Sequence, residues 1–455
     1  MKKFLRTVTV LLLTLSLFAT VISCGSNTES EKTSDSVKES ENASESEKES
    51  SGIKISFDKE NYSVEINKTE AVKVTVTNYS GPVNFSTSDT GIISIRKVDN
   101  GNANVTGKKA GTGTIKVTAG TVTATCGVTV SEIDSVKLNY NRMSIFENSD
   151  GTDAPNTLTA TYTSSAEGGS VAFTSSDTET VSISGVVNGV ATLKGEKVGK
   201  ATITATVGSA KESCEVEVTN KGIIYGIINQ QMWVLGIKDG TDIKGEIYIP
   251  EVMWDSSSST YQSVLGIQSS VFRNQTNATS LYVAYNVKCI SAECFRNTGL
   301  TSVEFQMETS KESQIRTLGD YAFAETKLVS FVLPNTQDGY YFGRGLFYNC
   351  SKLVSAQLAD AVSTIKEFTF VGTAIKTVYF GNLTETLDTS GNRVPAVYDN
   401  AFSSDCVLEN VYYIGSKDNW NGVLTATTCK AVTDFNINDI YFGATGIGTG
   451  AKISV

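Results

Sequence analysis

The chain contains no histidine. That absence removes Ser-His-Asp and Cys-His nucleophile chemistry and histidine-ligated metals together. No Cys-x-x-Cys pair exists either, so the usual thiolate zinc spacing is missing. Proline is scarce, with 5 in 455 residues, while glycine reaches 38 and Ser, Thr and Val are abundant. This balance suits an all-β protein rich in tight turns. The apolar stretch from Val8 to Val21 is too short to span a bilayer reliably as a helix. Basic residues are outnumbered 38 to 48, giving a net charge of −10. Nucleic acid is therefore not an expected partner, because phosphate binding wants a basic face. No RGD tripeptide is present for integrins.

What the chain does have is organised around phenylalanine. Phe272, Phe295, Phe323, Phe347, Phe370 and Phe402 each close a short unit, at steps of 23, 28, 24, 23 and 32 residues. Five residues before each sits an apolar residue: Ile267, Ile290, Leu318, Phe342, Ile365 and Val397. After each comes a strand-like run with apolar positions at i, i+3 and i+5, starting at Ala278, Leu300, Leu328, Leu353, Ile375 and Leu408. A period in the twenties with fixed apolar slots predicts a solenoid, whose units bury a continuous core only when stacked. Glu246 to Pro250 fits the same strand slot one unit earlier.

Leu328-Val-Ser-Phe-Val-Leu-Pro334 and Phe347-Tyr-Asn-Cys-Ser-Lys-Leu353 resemble the BspA-like leucine-rich repeats of bacterial surface proteins. Val411-Tyr-Tyr-Ile-Gly-Ser-Lys-Asp-Asn-Trp-Asn421 resembles the terminal cap of such arrays. The resemblance departs at Ala278, where a leucine is expected, and in the stretched repeats. It implies a curved, non-catalytic array used for adhesion or ligand binding, with host extracellular-matrix proteins or other cell surfaces as partners. An N-terminal cap is expected over 221–263, repeats over 264–413, and a C-terminal cap and tail over 414–455. Within the N-terminal cap, Asp239-Gly240 reads as a hairpin turn.

The N-terminal half reads differently. Residues 1–23 have the basic end (Lys2, Lys3, Arg6) and apolar stretch of a secretory signal. Losing that segment takes the net charge to −13. Val21-Ile-Ser-Cys24 resembles a bacterial lipobox, which implies lipidation of Cys24. Residues 25–52 are Ser, Glu, Lys, Asn and Thr almost throughout, without an aromatic side chain. Such a composition stays disordered and acts as a tether with a span of about 30 Å. An acidic, serine-rich tether after a lipidated cysteine implies an outer-membrane, surface-exposed location.

Residues 53–131 and 132–220 are two copies of one domain at a constant offset of 88. Phe85-Ser-Thr-Ser-Asp89 matches Phe173-Thr-Ser-Ser-Asp177, and Gly107, Gly111 and Cys126 match Gly195, Gly199 and Cys214. Short alternating runs separated by turn signals predict β-sandwiches. Their order of motifs resembles group 2 bacterial immunoglobulin-like domains, with Phe85 and Phe173 where that family often has tryptophan. The resemblance implies stalk modules. The whole chain is thus expected to be mainly β: lipoprotein signal and tether, two sandwiches, then a leucine-rich-repeat solenoid with terminal caps.

Candidate sites are few. Of 8 cysteines, Cys126, Cys214, Cys294 and Cys350 sit in apolar or small-residue slots and read as buried hydrophobes, while Cys406 and Cys429 could bridge the C-terminal cap. Asp150-Gly-Thr-Asp153 and Asp239-Gly-Thr-Asp242 read as turns, since neither continues into a calcium loop. Gly446-Ile-Gly-Thr-Gly450 lacks the strand-to-helix context of a phosphate loop and reads as a flexible tail. No motif selects a carboxylate pair for glycoside hydrolysis. No metal or cofactor is expected, and the chain reads as a non-enzyme.

Inward-pointing i+3 and i+5 residues place the i+4 residue outward. That column is Tyr248, Tyr282, Glu304, Val332, Gln357, Tyr379 and Tyr412. Tyrosines offer contact area at low entropy cost. Tyr248, Tyr282, Glu304, Gln357, Tyr379 and Tyr412 are therefore the expected ligand-binding set. The alternatives to an adhesin are a glycan-binding accessory protein and a cell-envelope scaffold.

Overall fold

The computed structural model describes residues 52–165, 168–307, 313–335, 339–384, 386–387, 393–425, 427, 429–449 and 451–452. The expected signal, Cys24 and most of the tether lie outside the described residues. The fold is mainly β, with 46% strand and 4% helix.

Two modules of eight strands come first, each built as a pair of four-stranded sheets around one core. In the first, Lys54–Phe57, Thr69–Thr77, Asn102–Gly107 and Ile93–Lys97 form one sheet in that order. Asn61–Glu65, Val122–Ser131, Gly111–Ala119 and Val83–Thr87 form the other. Alternation explains the packing: Val72 and Val74 of one sheet meet Ile115, Val117, Val128 and Val130 of the other. The offset of 88 recurs in the second module, where Gly199–Val207 and Ala210–Thr219 stand in for Gly111–Ala119 and Val122–Ser131. Gly107 and Gly195 are glycine for the same reason. A Cβ there would lie 2.7 Å from the Glu65 carbonyl oxygen and 2.8 Å from that of Phe146. Cys126 and Cys214 are buried, and burial pushes the Cys214 thiol up to about 12.

The C-terminal half is a solenoid with three hydrogen-bonded ladders. The first is parallel and carries the i+3 and i+5 slots, with Ile247, Leu281 and Val303 in register, then Phe331, Ala356, Val378 and Val411. It is interrupted between Ser302–Phe305 and Ser330–Val332. The second ladder aligns Val234, Ile267, Ile290, Leu318 and Phe342, and Ile365 bridges Val397 beyond its own interruption. Ahead of it, the hairpin Ile223–Ile228 with Gln231–Ile237 turns at Asn229 and Gln230, both at positive φ. This corrects the expected turn: Gln231–Ile237 and Gly245–Ile249 belong to different sheets, so Asp239-Gly240 joins two ladders and closes no hairpin.

The third ladder is the phenylalanine units themselves. Phe272, Phe295, Phe323 and Phe347 each donate their amide to the carbonyl of the residue just before the next phenylalanine, at 2.8–3.1 Å. The rings stack from Phe272 to Phe402 with centroids 5.2, 5.4, 6.3, 5.7 and 4.9 Å apart and interplanar angles of 2° to 23°. Positive φ recurs on both sides of the ring: Ser270, Glu293, Tyr321, Gly345 and Phe368 two residues before, and Asn274, Asn297, Glu325, Asn349 and Gly372 two after. These left-handed residues turn the chain so that it presents both a buried ring and a lateral amide.

At the C-terminal end the helix Lys417–Thr425 seals the core with Trp420, packed on Phe380 and Tyr413. Cys406 and Cys429 both remain free thiols, so no bridge forms in the cap.

The stack yields a stability test. Phe323→Ala, at the centre of the stack, should lower the unfolding free energy by about 3–5 kcal/mol in guanidinium titration, whereas Val329→Ala should change it by less than about 0.5 kcal/mol. Val329 is half exposed, so comparable losses would put the core elsewhere.

Candidate functional site

The outward column exists, but other segments cover most of it. Tyr248, Tyr379 and Tyr412 are buried, Tyr282 and Gln357 are half-buried, and Glu304 is exposed together with Val332. The expectation of a seven-residue exposed surface is therefore corrected. The i+4 positions do leave the solenoid core, but at each end another element lies on top of them.

At the N-terminal end that element is the second β module. Its last strand, Ala210–Thr219, runs against the first repeat strand, Gly245–Ile249. The Asn220 side chain donates to the Glu246 carbonyl at 2.7 Å and accepts from the Tyr248 amide at 2.9 Å, taking the place of a neighbouring strand. The Thr219 hydroxyl donates to the Tyr248 carbonyl at 2.8 Å. Tyr248 stacks on Tyr282, with centroids 4.4 Å apart, and its hydroxyl donates to Glu217 at 3.2 Å.

Glu217 has no exposed surface. Its other oxygen accepts from the Glu251 amide at 2.9 Å. Around it stand Arg142, which pairs with Glu251 and with Glu215 at 3.2 Å, and Lys200, 2.6 Å from Glu215. Burial pushes the Glu217 carboxyl up to about 7, against the pull of Arg142 and the Tyr248 hydrogen bond. On the flank, Tyr140 of the module meets Trp254 and Tyr261 of the hairpin Val252–Asp255 with Thr260–Ile267, at 6.4 and 5.1 Å. Residues 253–261 are the first of three insertions that stretch the repeats, the others being 306–314 and 381–396, and this one serves module docking.

Sequence reasoning missed this junction because Glu215-Val-Glu-Val218 reads as an ordinary strand with its acids in water. A signal was available in the aligned copies. Where the second module has Glu215 and Glu217, the first has Gly127 and Thr129. The insertions 306–314 and 381–396 leave the first ladder and return to the second, as 253–261 does, and each lies partly outside the described residues.

At the other end the cover is residues 443–449. Ala444 is fully buried in a small cluster with Tyr379 and Tyr412. Asp360 accepts from the Tyr379 hydroxyl, and Tyr441 stacks on Tyr412 at 4.5 Å. The expectation of a flexible tail at Gly446-Ile-Gly-Thr-Gly450 is corrected over 446–449, because Gly446 is buried and the Ile447 amide donates to the Gln357 side chain at 3.1 Å, while Gly450 lies outside the described residues. Between the two covers the face stays open over Glu304 and Val332, with Val329 and Val354 also exposed.

A further surface follows the phenylalanine units. Arg273 pairs with Glu293, and Arg296 pairs with both Glu293 and Glu325. Arg296 and Arg344 lie over the Tyr321 ring at 5.8 and 5.9 Å. These part-exposed pairs link neighbouring units and carry little stability each.

Residues 265–391 match the family model of the BspA type leucine rich repeat region, in six copies. No curated protein matches. Among solved structures, the T. pallidum leucine rich repeat protein is 18% identical and aligns over 35% of this chain and 84% of its own, with a TM-score of 0.26. The pneumococcal vaccine antigen PcpA is 13% identical over 50% of this chain and 49% of its own, with a TM-score of 0.32. Domains 5–6 of the S-layer protein SbsC are 22% identical over 37% of this chain and 97% of their own, with a TM-score of 0.17.

The junction carries a pH prediction. A carboxyl whose folded pKa lies above its unfolded value binds more protons when folded, so stability falls as pH rises from about 4.5 to 7 and stays lowered above that. Glu217→Gln should therefore raise the thermal midpoint relative to the parent at pH 8, and the gap should close near pH 5. Parallel melting profiles across that range would place the Glu217 proton elsewhere.

Proposed function

We propose that this chain is a non-catalytic surface lipoprotein whose repeat array binds protein ligands, such as host matrix proteins or proteins of neighbouring cells. In this reading Cys24 carries the lipid, 25–52 is the spacer, and the two immunoglobulin-like modules are the stalk. The observation that carries it is the six-copy BspA-type match over 265–391, the repeat class of bacterial surface proteins. The junction supports the stalk role, since five hydrogen bonds through Thr219, Asn220 and Glu217 hold the second module on the first repeat. A chain without histidine and without a paired-carboxylate motif supports the non-catalytic part.

A glycan-binding role is the second reading. It draws on a cleft of about 540 Å³ beside the junction, where Tyr225, Met253 and Trp254 meet Glu147, Lys221 and Lys238. Aromatic walls with convergent polar groups suit a small ligand.

Two experiments test these readings. Cys24→Ala should move the protein from the detergent fraction to the soluble fraction of the cells, because a lipid chain contributes about 0.8 kcal/mol per buried CH₂. Retention in detergent would end the lipoprotein reading. The purified Cys24→Ala chain, applied to matrix-protein and glycan arrays, should bind protein spots. Binding to glycan spots alone, abolished by Trp254→Ala, would favour the second reading.

A further inference from the structure

Glu217 is the centre of the junction between the second module and the first repeat. It has no exposed surface and, among the described residues, no ion pair. Its oxygens accept from the Tyr248 hydroxyl at 3.2 Å and from the Glu251 amide at 2.9 Å. Ser144 stands opposite it in register on Arg142–Phe146 and is fully buried too. The Ser144 hydroxyl has no hydrogen-bond partner among the described residues, so that side offers the carboxyl group no hydrogen bond.

The cations nearby are already engaged. Arg142 pairs with Glu251 and Glu215, and Lys200 pairs with Glu215. Two cations thus face three carboxyl groups, and the cluster is neutral only when one carboxyl keeps its proton. Burial pushes Glu217 up to about 7, against the pull of Arg142, which marks it as that group. Tyr225 of Ile223–Ile228, Tyr248 of Gly245–Ile249 and Tyr282 of Ala278–Val283 also face it. Burial raises all three hydroxyls, so they add no charge. Beyond them, Glu246 and Glu304 add negative charge and Lys197 opposes it. Burial, then Glu304, hold the Glu246 carboxyl above its usual value.

This polar centre is flanked by ring contacts, Phe146 on Tyr225 at 6.1 Å and Tyr140 on Tyr261 at 5.1 Å. Apolar packing is non-directional and tolerates a small rotation, whereas hydrogen bonds at the centre do not. We propose that the junction is a proton-linked latch: closed, it holds a proton on Glu217 and covers Tyr248 and Tyr282; opening releases the proton and uncovers that end of the outward column. The inference concerns how the second module and the array are coupled, whatever the array binds. Once open to water, the carboxyl returns to its ordinary value of 4.5. The closed form therefore binds more protons between that value and about 7. Rising pH through this window favours opening, and the effect levels off above it.

Hydrogen–deuterium exchange of the Cys24→Ala chain tests the latch, with rates corrected for intrinsic exchange. The Tyr248 and Glu251 amides report on it directly, since they donate to the Asn220 and Glu217 side chains. Their protection should fall at least about tenfold from pH 5 to pH 7.5, because opening releases one proton. At pH 7.5 they should also exchange at least about tenfold faster than the Phe295 and Phe323 amides in the ring stack, since a local opening is more frequent than unfolding of the array. Glu217→Gln should keep the protection of pH 5 at both pH values. Equal exchange at the junction and in the stack would mean that the junction opens only when the array unfolds, and overturns the latch. So does a pH dependence that persists in Glu217→Gln, which would put the proton on another carboxyl group. Should Glu217→Gln fail to fold, Glu217→Thr takes its place, with the residue that the first module carries as Thr129. The comparison of junction with stack in the parent chain decides against the latch without either variant.

Discussion

The stacked phenylalanines are the constraint on which the rest of the solenoid depends. Of the three ladders, two are interrupted. The first breaks between Ser302–Phe305 and Ser330–Val332, and the second between Phe342 and Ile365. The rings run on from Phe272 to Phe402 past both breaks. Each ring pair adds about 0.5–1.5 kcal/mol beyond its buried area. The arrangement also carries strain. Tyr321 and Phe368 hold left-handed backbone at φ 56° and 60°, where a bulky residue is disfavoured by roughly 1–2 kcal/mol. The stack and the lateral amide bonds offset that strain. Because the rings fix unit spacing, the chain can lengthen on one side, and the first break falls where the 306–314 insertion follows Ser302–Phe305.

A solenoid has two open ends, and each end is an exposed strand edge prone to unwanted pairing. This chain closes them by different chemistry. At one end the Asn220 amide takes up the Glu246 carbonyl and the Tyr248 amide. At the other, Ala451–Lys452 turns back antiparallel on Ile440–Phe442. Both closures bring additional chain onto the outward face. The tyrosines sit near the ends of the column, so they are the residues covered. What stays accessible is set by end closure and not by the repeat pattern alone.

That distinction explains what could be read from the sequence. The apolar slots recur every unit and mark an invariant environment, so Ile247, Leu281, Phe331, Ala356, Val378 and Val411 were legible as one buried register. Outward positions carry no such redundancy. Tyr379 and Glu304 occupy the same slot, and only a segment 65 residues away in sequence, at Ala444, makes one buried and the other exposed. The left-handed positions two residues before the first five phenylalanines were equally hidden, because Ser270, Glu293, Tyr321, Gly345 and Phe368 share no side-chain chemistry, whereas Asn274, Asn297, Asn349 and Gly372 on the other side are residue types that favour that backbone. Their common feature is a backbone angle that the next unit's hydrogen bonds impose.

The junction shows how a buried polar network can set orientation where an apolar contact would not. A purely hydrophobic seam between Ala210–Thr219 and Gly245–Ile249 could slide by a residue pair at modest cost, since apolar burial is non-directional. Here a slip would strand Glu217 without the Glu251 amide and the Tyr248 hydroxyl, and would part Arg142 from Glu251. An uncompensated buried charge costs several kcal/mol. The ionised carboxylate costs stability, as its raised pKa indicates. Its effect is to make every other register worse. The second module therefore meets the array in a single pose, and the first module, with Gly127 and Thr129 at the equivalent positions, lacks the side chains to do the same.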